Sequence, residues 1–250
     1  MEELRRRLVT WIAAKVKEAG ASGTVVGLSG GIDSAVTATL CHEAAGDRAL
    51  ALILPINSLP EDIEDALLVA KHFHLRHQIV PLEGVYASFL ASVPADIGEE
   101  RLRAMALANV KPRLRMVTLY YFANIMNRIV VGTSNRAELS VGYFTKYGDG
   151  AADILPLGWL VKRQVRELAV HLGVPQPIID KAPSAGLWPG QTDEGEMGLT
   201  YADIDRYLIE GKADLEIARR IGLRHQQSEH KRERPPIAPV EDLVEDPKKR

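Results

Sequence analysis

Val25-Val26-Gly27-Leu28-Ser29-Gly30-Gly31-Ile32-Asp33-Ser34 is the stretch whose reading decides the fold. The apolar run from Thr24 to Leu28 is short and sharply bounded, as a buried strand is. It breaks at a Gly-Gly turn and passes into Ala35-Val36-Thr37-Ala38-Thr39-Leu40, which opens a helix. Strand, glycine turn and helix N-terminus together make an anion site. Glycines let backbone N–H groups approach an oxyanion, and the helix dipole favours negative charge there. Ser29 and Ser34 add hydroxyl donors at the rim. The lysine and the spacing of a Walker loop are both missing. Asp33 is the informative oddity. A carboxylate beside bound phosphates repels them unless a divalent cation lies between, so Asp33 predicts Mg²⁺. Read without function, the same residues are a glycine turn with Asp33 capping the helix.

Working outward, Leu4, Leu8, Ile12 and Val16 recur every fourth residue and Gly20 ends the run, an amphipathic helix with a glycine stop. Ala49 to Leu54 is a second apolar run, closed by Pro55. Glu61 to Phe73 reads as helix, Gln78-Ile79-Val80 as a third strand and Arg128 to Gly132 as a fourth. This alternation predicts an α/β fold: a doubly wound, Rossmann-like parallel sheet flanked by helices, with ligands at the carboxyl ends of the strands. Val85 to Val93 is a short helix. Glu100 to Met126 is largely helical, interrupted near Asn109-Val110-Lys111-Pro112. Lys162 to Leu172 is a helix stopped by Gly173, and Leu199 to Ile204 starts a closing helical segment. Pro183 to Gly198 lacks apolar periodicity and reads as a long, mobile loop that orders over bound nucleotide. With no repeat and no second boundary, residues 1–250 read as a single domain ending in a flexible tail from about residue 235.

A chain of 250 residues with net charge −2 offers no extended basic surface for nucleic acid. A single cysteine, Cys41, rules out an internal disulfide, a Cys-x-x-Cys redox pair and a Cys₄ zinc site. No long apolar stretch follows Met1, so neither a leader nor a membrane span is expected, and a cytoplasmic location follows by default. His72, His74 and His77 straddle a helix end and a strand start and need not converge on a metal. The segment Arg113 to Asn127 is apolar on several faces. An uncovered face carrying Tyr120, Tyr121 and Phe122 predicts a homodimer, unless the N-terminal helix covers it within one chain.

The loop Ser29-Gly30-Gly31-Ile32-Asp33-Ser34 resembles that of the N-type ATP pyrophosphatases, and further segments narrow the resemblance. Leu107-Ala108-Asn109-Val110-Lys111-Pro112-Arg113-Leu114-Arg115-Met116, Val131 to Glu138, Val141 to Gly150, Pro183 to Trp188 and Glu229 to Arg232 are similar to stretches of the NAD synthetases, in the same order. The likeness runs from about Leu4 to about Arg234. Ser134 and Ala151 stand where many members have glycine, which puts the local backbone geometry in question.

That resemblance implies an adenine nucleotide alpha-hydrolase-like fold and a two-step amidation. The carboxylate of nicotinic acid adenine dinucleotide attacks the α-phosphorus of ATP and releases pyrophosphate. Ammonia then displaces AMP to give NAD. It implies that Gly27, Leu28, Ser29, Gly30, Gly31, Ile32, Asp33 and Ser34, with Thr133, Lys162 and Ser184, bind ATP. Asp33 and Glu138 would hold Mg²⁺. Arg113, Lys146, Asp149, Asp153, His230 and Lys231 would bind the dinucleotide. Asp33 and Lys162 would serve the chemistry, with Asp149 attracting ammonium and helping to deprotonate it. Two rivals share the loop. A tRNA-modifying ligase would need a persulfide cysteine or a broad basic surface, and neither is present. A non-catalytic nucleotide-binding regulator would not need an acid pair plus a second set of cations. No glutaminase-type cysteine is available, so free ammonia is the expected nitrogen donor, with a separate glutaminase subunit left open.

Overall fold

A computed structural model of the chain describes residues 1–94, 96–184, 186 and 190–238. The elements run α1 (Glu2–Glu18), β1 (Gly23–Gly27), α2 (Ile32–Ala45), β2 (Ala49–Ile53), α3 (Pro60–His72), β3 (His77–Ile79), α4 (Glu83–Ser92) and α5 (Glu100–Ile125). They continue through β4 (Arg128–Val131), α6 (Arg136–Val141), α7 (Lys162–Leu172), α8 (Gln176–Asp180), α9 (Asp193–Met197), α10 (Tyr201–Glu210) and α11 (Leu215–Gln227).

The four strands form one parallel sheet in the order β3-β2-β1-β4. Successive strand residues point to opposite faces, so each apolar run feeds two cores. In β2, Ala49, Ala51 and Ile53 join one cluster with Val26 and Val131, while Leu50 and Leu52 join the other with Val25 and Val130. The first cluster packs under α1, α2, α3, α7 and α8, and the second under α4 and α5. Helices on both faces of a parallel sheet are the doubly wound arrangement that the strand–helix alternation predicts. A third, smaller cluster joins α6 to α10 and α11 through Ala137, Val141, Ile204 and Ile221.

The expectations for Glu100 to Met126 need correction. The segment is one uninterrupted helix of 26 residues with Pro112 inside it. Proline removes one backbone donor and normally breaks a helix. Here the turns around it are clamped from outside. Tyr86 of α4 donates its hydroxyl to the Leu107 carbonyl (3.3 Å), and the Thr145 hydroxyl donates to Asn109 Oδ1 (2.7 Å). Gly148 lies so close that a Cβ there would come within 3.1 Å of Pro112 Cβ. Tyr120 and Phe122 also differ from expectation, because both pack partly buried into the core beneath α5. The exposed apolar residues are instead Leu102 and Met105 near the start of α5 and Val117, Tyr121 and Ile125, spaced four apart, as a stripe near its end. Helix α1 does not cover it, since α1 packs on α2 at the opposite face of the sheet.

The segment from Pro183 to Gly198 is not all loop, because α9 lies within it, capped by Thr192 Oγ1 accepting from the Gly195 N–H (3.2 Å). Its residues 185 and 187–189, like most of the expected tail (239–250), lie outside the described residues. Ser134 and Ala151 adopt ordinary negative-φ backbone, so the loss of glycine at either position costs no turn geometry. No helix among the described residues is long and apolar enough to cross a membrane.

Candidate active site

The chain leaves β1 toward β2 on one side, and β4 lies on the other. Their carboxyl-end loops therefore diverge and open a crevice, which is where doubly wound sheets take ligands. On the β1 side, Gly30 has φ +83°, and a Cβ there would lie 2.6 Å from the Asp62 carbonyl oxygen. Only glycine lets the loop rest on the first turn of α3. The two serines do not both stand free at the rim. Ser34 is buried and donates its hydroxyl to the Gly31 carbonyl (2.8 Å), and its oxygen accepts from the Ser29 N–H (3.2 Å). Ser29 Oγ is exposed at the loop surface and accepts from the Gly31 N–H (3.3 Å). Their shared work is to set the loop's shape.

Asp33 lies in the first turn of α2, Glu138 in α6 after β4, and Lys162 is the first residue of α7. The structure brings all three together. Lys162 Nζ donates to Asp33 Oδ2 at 2.5 Å and sits 3.5 Å from Glu138 Oε1, with each side chain only 10–16% exposed. Asn135 caps α6 by accepting from the Glu138 N–H (3.1 Å), and its Nδ2 donates to Asp33 Oδ1 (2.9 Å).

Two carboxylates against one ammonium leave an uncompensated negative charge in a buried place. Burial first, and Asp33 second, push the Glu138 carboxyl up to about 8. Burial alone would lower the Lys162 pKa, but Asp33 and Glu138 outweigh it and hold the ammonium charged. Both acids converge on one cation and offer only oxygen donors, which fits a hard divalent ion. Among the described residues no set of three or more His, Cys, Asp or Glu is arranged for a metal, so His72, His74 and His77 do not converge.

Thr133 is half-buried just beyond β4. Ser184 is exposed, and its hydroxyl accepts from the Gly186 N–H (3.1 Å). A Cβ on Gly186 would lie 3.8 Å from Asp62 Oδ2, so this segment starts beside α3 on the glycine-loop side.

A second group gathers around the middle of α5. Arg113 donates to the Lys146 carbonyl (3.3 Å), and the Lys146 ammonium donates to the His230 carbonyl. Lys231 Nζ donates to the Gly142 and Phe144 carbonyls, both at 2.8 Å, and burial lowers its pKa. Asp149 Oδ1 accepts from the Thr145 N–H (3.0 Å). The residue is exposed, yet protein crowding around the carboxylate raises its pKa, the direction a proton acceptor needs. Tyr147, between Lys146 and Gly148, has φ +61°, a strained setting of the kind that clusters at functional sites. Asp153 is differently employed: its oxygens accept from the Val130 N–H (2.7 Å) and from the Tyr120 hydroxyl (3.2 Å), tying the loop to β4.

Sequence reasoning missed several residues here. Asn135 was legible, since Asn-x-x-Glu is a capping-box pattern. Arg115, whose Nε donates to the Leu54 carbonyl (2.9 Å) across from the glycine loop, carried no separable signal. Neither did Tyr201 and Asp205, which reach Lys162 from α10.

The family profile described as NAD synthase matches residues 4–235. An NH(3)-dependent NAD(+) synthetase of Carboxydothermus hydrogenoformans is 50% identical over 236 residues, 94% of this chain and 97% of that one. Among solved structures, the NMN synthetase from Francisella tularensis superposes with a TM-score of 0.90 at 44% identity, covering 95% of this chain and 98% of the other. The NH3-dependent NAD synthetase from Campylobacter jejuni gives 0.77 at 30%, covering 94% and 97%. With its glycine loop, its acid pair and a match over nearly its whole length, the chain belongs to the NAD synthase family.

Proposed function

We propose that this protein is an ammonia-dependent ligase that uses ATP to amidate nicotinic acid adenine dinucleotide, giving NAD, AMP and pyrophosphate. The observation that carries the reading is the buried Asp33–Lys162–Glu138 group beside the glycine loop at the β1/β4 switch point. The substrate carboxylate forms a bond to the α-phosphorus as the bond to the bridging oxygen breaks, and pyrophosphate leaves. Ammonia nitrogen then bonds the adenylated carbonyl carbon, AMP departs and the nitrogen loses a proton. The loop Gly27–Ser34 would hold the leaving phosphates, and Lys162 would stabilise charge developing there. Thr133 and Ser184 would add hydroxyl contacts to the nucleotide. Asp33 and Glu138 would hold Mg²⁺, which supplies neutralisation of phosphate charge when bound. Arg113, Lys146, His230 and Lys231 would hold the dinucleotide, Asp153 would brace that site through Tyr120, and Asp149 would accept the ammonium proton.

The chain acts as one domain and as a homodimer in the cytoplasm, with the exposed stripe of α5 as the contact between copies. Ammonia enters free or from a separate glutaminase. The close fit to an NMN synthetase favours a second reading, in which the amidated acid is the mononucleotide. Incubating the protein with ATP, Mg²⁺, ammonium and each acid separately tests both. Pyrophosphate released with neither acid present in the product as amide would overturn them together.

A further inference from the structure

The N-terminus of α7, where Lys162 enters the site, lacks a cap of its own. Its N-cap residue is Val161, which has no side-chain oxygen to offer. The carboxylate of Asp205, three elements later on α10, takes that place. Its Oδ1 accepts from the Lys162 N–H (3.1 Å) and its Oδ2 from the Arg163 N–H (2.7 Å). Asp205 is 6% exposed, so both bonds are made in a dry setting where the helix dipole also favours the charge.

One turn earlier on the same helix face stands Tyr201, also 6% exposed. Its ring lies under the Lys162 ammonium, 4.6 Å from centroid to Nζ. Its hydroxyl lies 3.2 Å from Glu138 Oε1 and 2.9 Å from Asp193 Oδ2, with one proton for two carboxylates. Between them, Ile204 anchors the helix to Ala137 and Val141 of α6, the helix that carries Glu138. Contacts from little more than one turn of α10 therefore fix the backbone of Lys162, its ammonium and the carboxylate it faces. All three of these α10 residues are buried.

We infer that the Tyr201–Asp205 face of α10 is a positioning device for this active site. Asp205 sets where Lys162 starts its reach, and Tyr201 sets where the ammonium and Glu138 meet. Neither residue touches a reactant. The inference rests on the reading of Lys162 as the group that stabilises the leaving phosphates. An ammonium moved by even an ångström loses much of that stabilisation, because fixed charges act through their geometry.

The test compares Asp205→Ala, Asp205→Asn and Tyr201→Phe with the unaltered protein. Two quantities are read: steady-state turnover, and the acetylation rate of Lys162 by acetic anhydride followed by mass mapping. Asp205→Ala is expected to lower kcat on the order of 10- to 100-fold while KM for the acid substrate stays within about threefold. Asp205→Asn keeps one acceptor oxygen and is expected to recover most of that loss. Tyr201→Phe keeps the ring but takes the hydroxyl away from Glu138 Oε1, and is expected to lower kcat about tenfold. In Asp205→Ala and Tyr201→Phe alike, Lys162 should acetylate several-fold faster, because the ammonium, though still paired with Asp33, is held less firmly in place. An unchanged Lys162 acetylation rate in both variants overturns the inference, whatever turnover does. So does a loss of kcat in Asp205→Ala that merely follows the fraction unfolded. A protein that never turns over, yet shows the faster acetylation, would sink the functional reading and leave the positioning device standing.

Discussion

Asn135 Nδ2 donates to Asp33 Oδ1 at 2.9 Å, and this bond joins the loop after β4 to the helix after β1 across the switch point of the sheet. The same side chain caps α6, so one residue fixes the position of both acids. Replacing it by alanine removes the cap, a loss of about 0.5–2 kcal/mol. At the scale of this chain that lowers Tm by roughly 1–8 °C. Turnover should fall further than stability alone accounts for, because Asp33 then keeps only its bond to Lys162 and loses the one that fixes its second oxygen. A variant with reduced Tm but full turnover would show that Asp33 needs no such support.

The acid pair should trade stability for activity. In the ligand-free protein Asp33 and Glu138 share one ammonium, and Glu138 is held at about 8 by burial and by Asp33. Glu138→Gln makes permanent the neutral state that burial and Asp33 already favour, and the amide oxygen can still accept from the Asn135 N–H. We expect the ligand-free variant to melt at or above the parent temperature, while turnover at limiting Mg²⁺ falls at least about 100-fold. Asp33→Asn should lose turnover likewise. Near-parental activity at limiting Mg²⁺ in either variant would remove the metal assignment.

Gly30→Ala should damage nucleotide binding through the backbone. At φ +83° a non-glycine residue costs about 1–3 kcal/mol, and the new Cβ would meet the Asp62 carbonyl at 2.6 Å and Asp65 Cβ at 2.8 Å. The loop must lift from α3 and withdraw its N–H groups. Calorimetric titration with ATP and Mg²⁺ should show affinity reduced on the order of tenfold or more, since at least 1.4 kcal/mol is at stake. Unaltered affinity would mean that the phosphates are held elsewhere.

The sheet was legible because each buried strand is a short apolar run ended by glycine, proline or a polar turn: Thr24 to Leu28, Ala49 to Leu54 and Arg128 to Gly132 all fall within a residue or two of β1, β2 and β4. The same local logic failed at Pro112, where the cost of proline is local but the clamps from Tyr86 and Thr145 are not. It failed again at Tyr120 and Phe122, because a helix apolar on several faces does not say which face meets the sheet. Asp33, Glu138 and Lys162 could be singled out as residue types at strand ends and a helix start. Their meeting point could not, since it depends on α6, α7 and α10 packing together over more than a hundred residues of chain.

Cys41 gives a pH-dependent check on the core. Burial pushes its thiol up to about 12. The neutral thiol is therefore the form that the folded state favours. Its contribution to stability is complete below the unfolded value near 9 and is lost as pH rises toward about 12. Alkylation by iodoacetamide should stay slow in the native protein at pH 8–9 and become rapid in denaturant. Fast native labelling would mean that α2 opens locally.

Val117, Tyr121 and Ile125, four residues apart on one face of α5, are each more than half exposed, and soluble monomers avoid large contiguous apolar patches. A two-fold axis beside the helix would bury the same residues on both copies. Arg113 lies on the same face, four residues before Val117, so the substrate cations would stand close to the junction. A stable dimer needs about 1,200–2,000 Å² of total buried surface, which a helix of 26 residues and its flanks can supply. Val117→Glu or Tyr121→Glu places like charges face to face across the axis, and sedimentation at micromolar concentration should then show a species half the parent mass. Turnover should fall with it, because the dinucleotide would lose contacts from the second copy. Mixing Asp33→Asn chains with Arg113→Ala chains separates assembly from site sharing. If each site draws Arg113 from the partner, mixed dimers regain one intact site and activity returns. Subunit exchange without any recovery would place each site within one chain, and a fully active monomer of the parent protein would remove the dimer altogether.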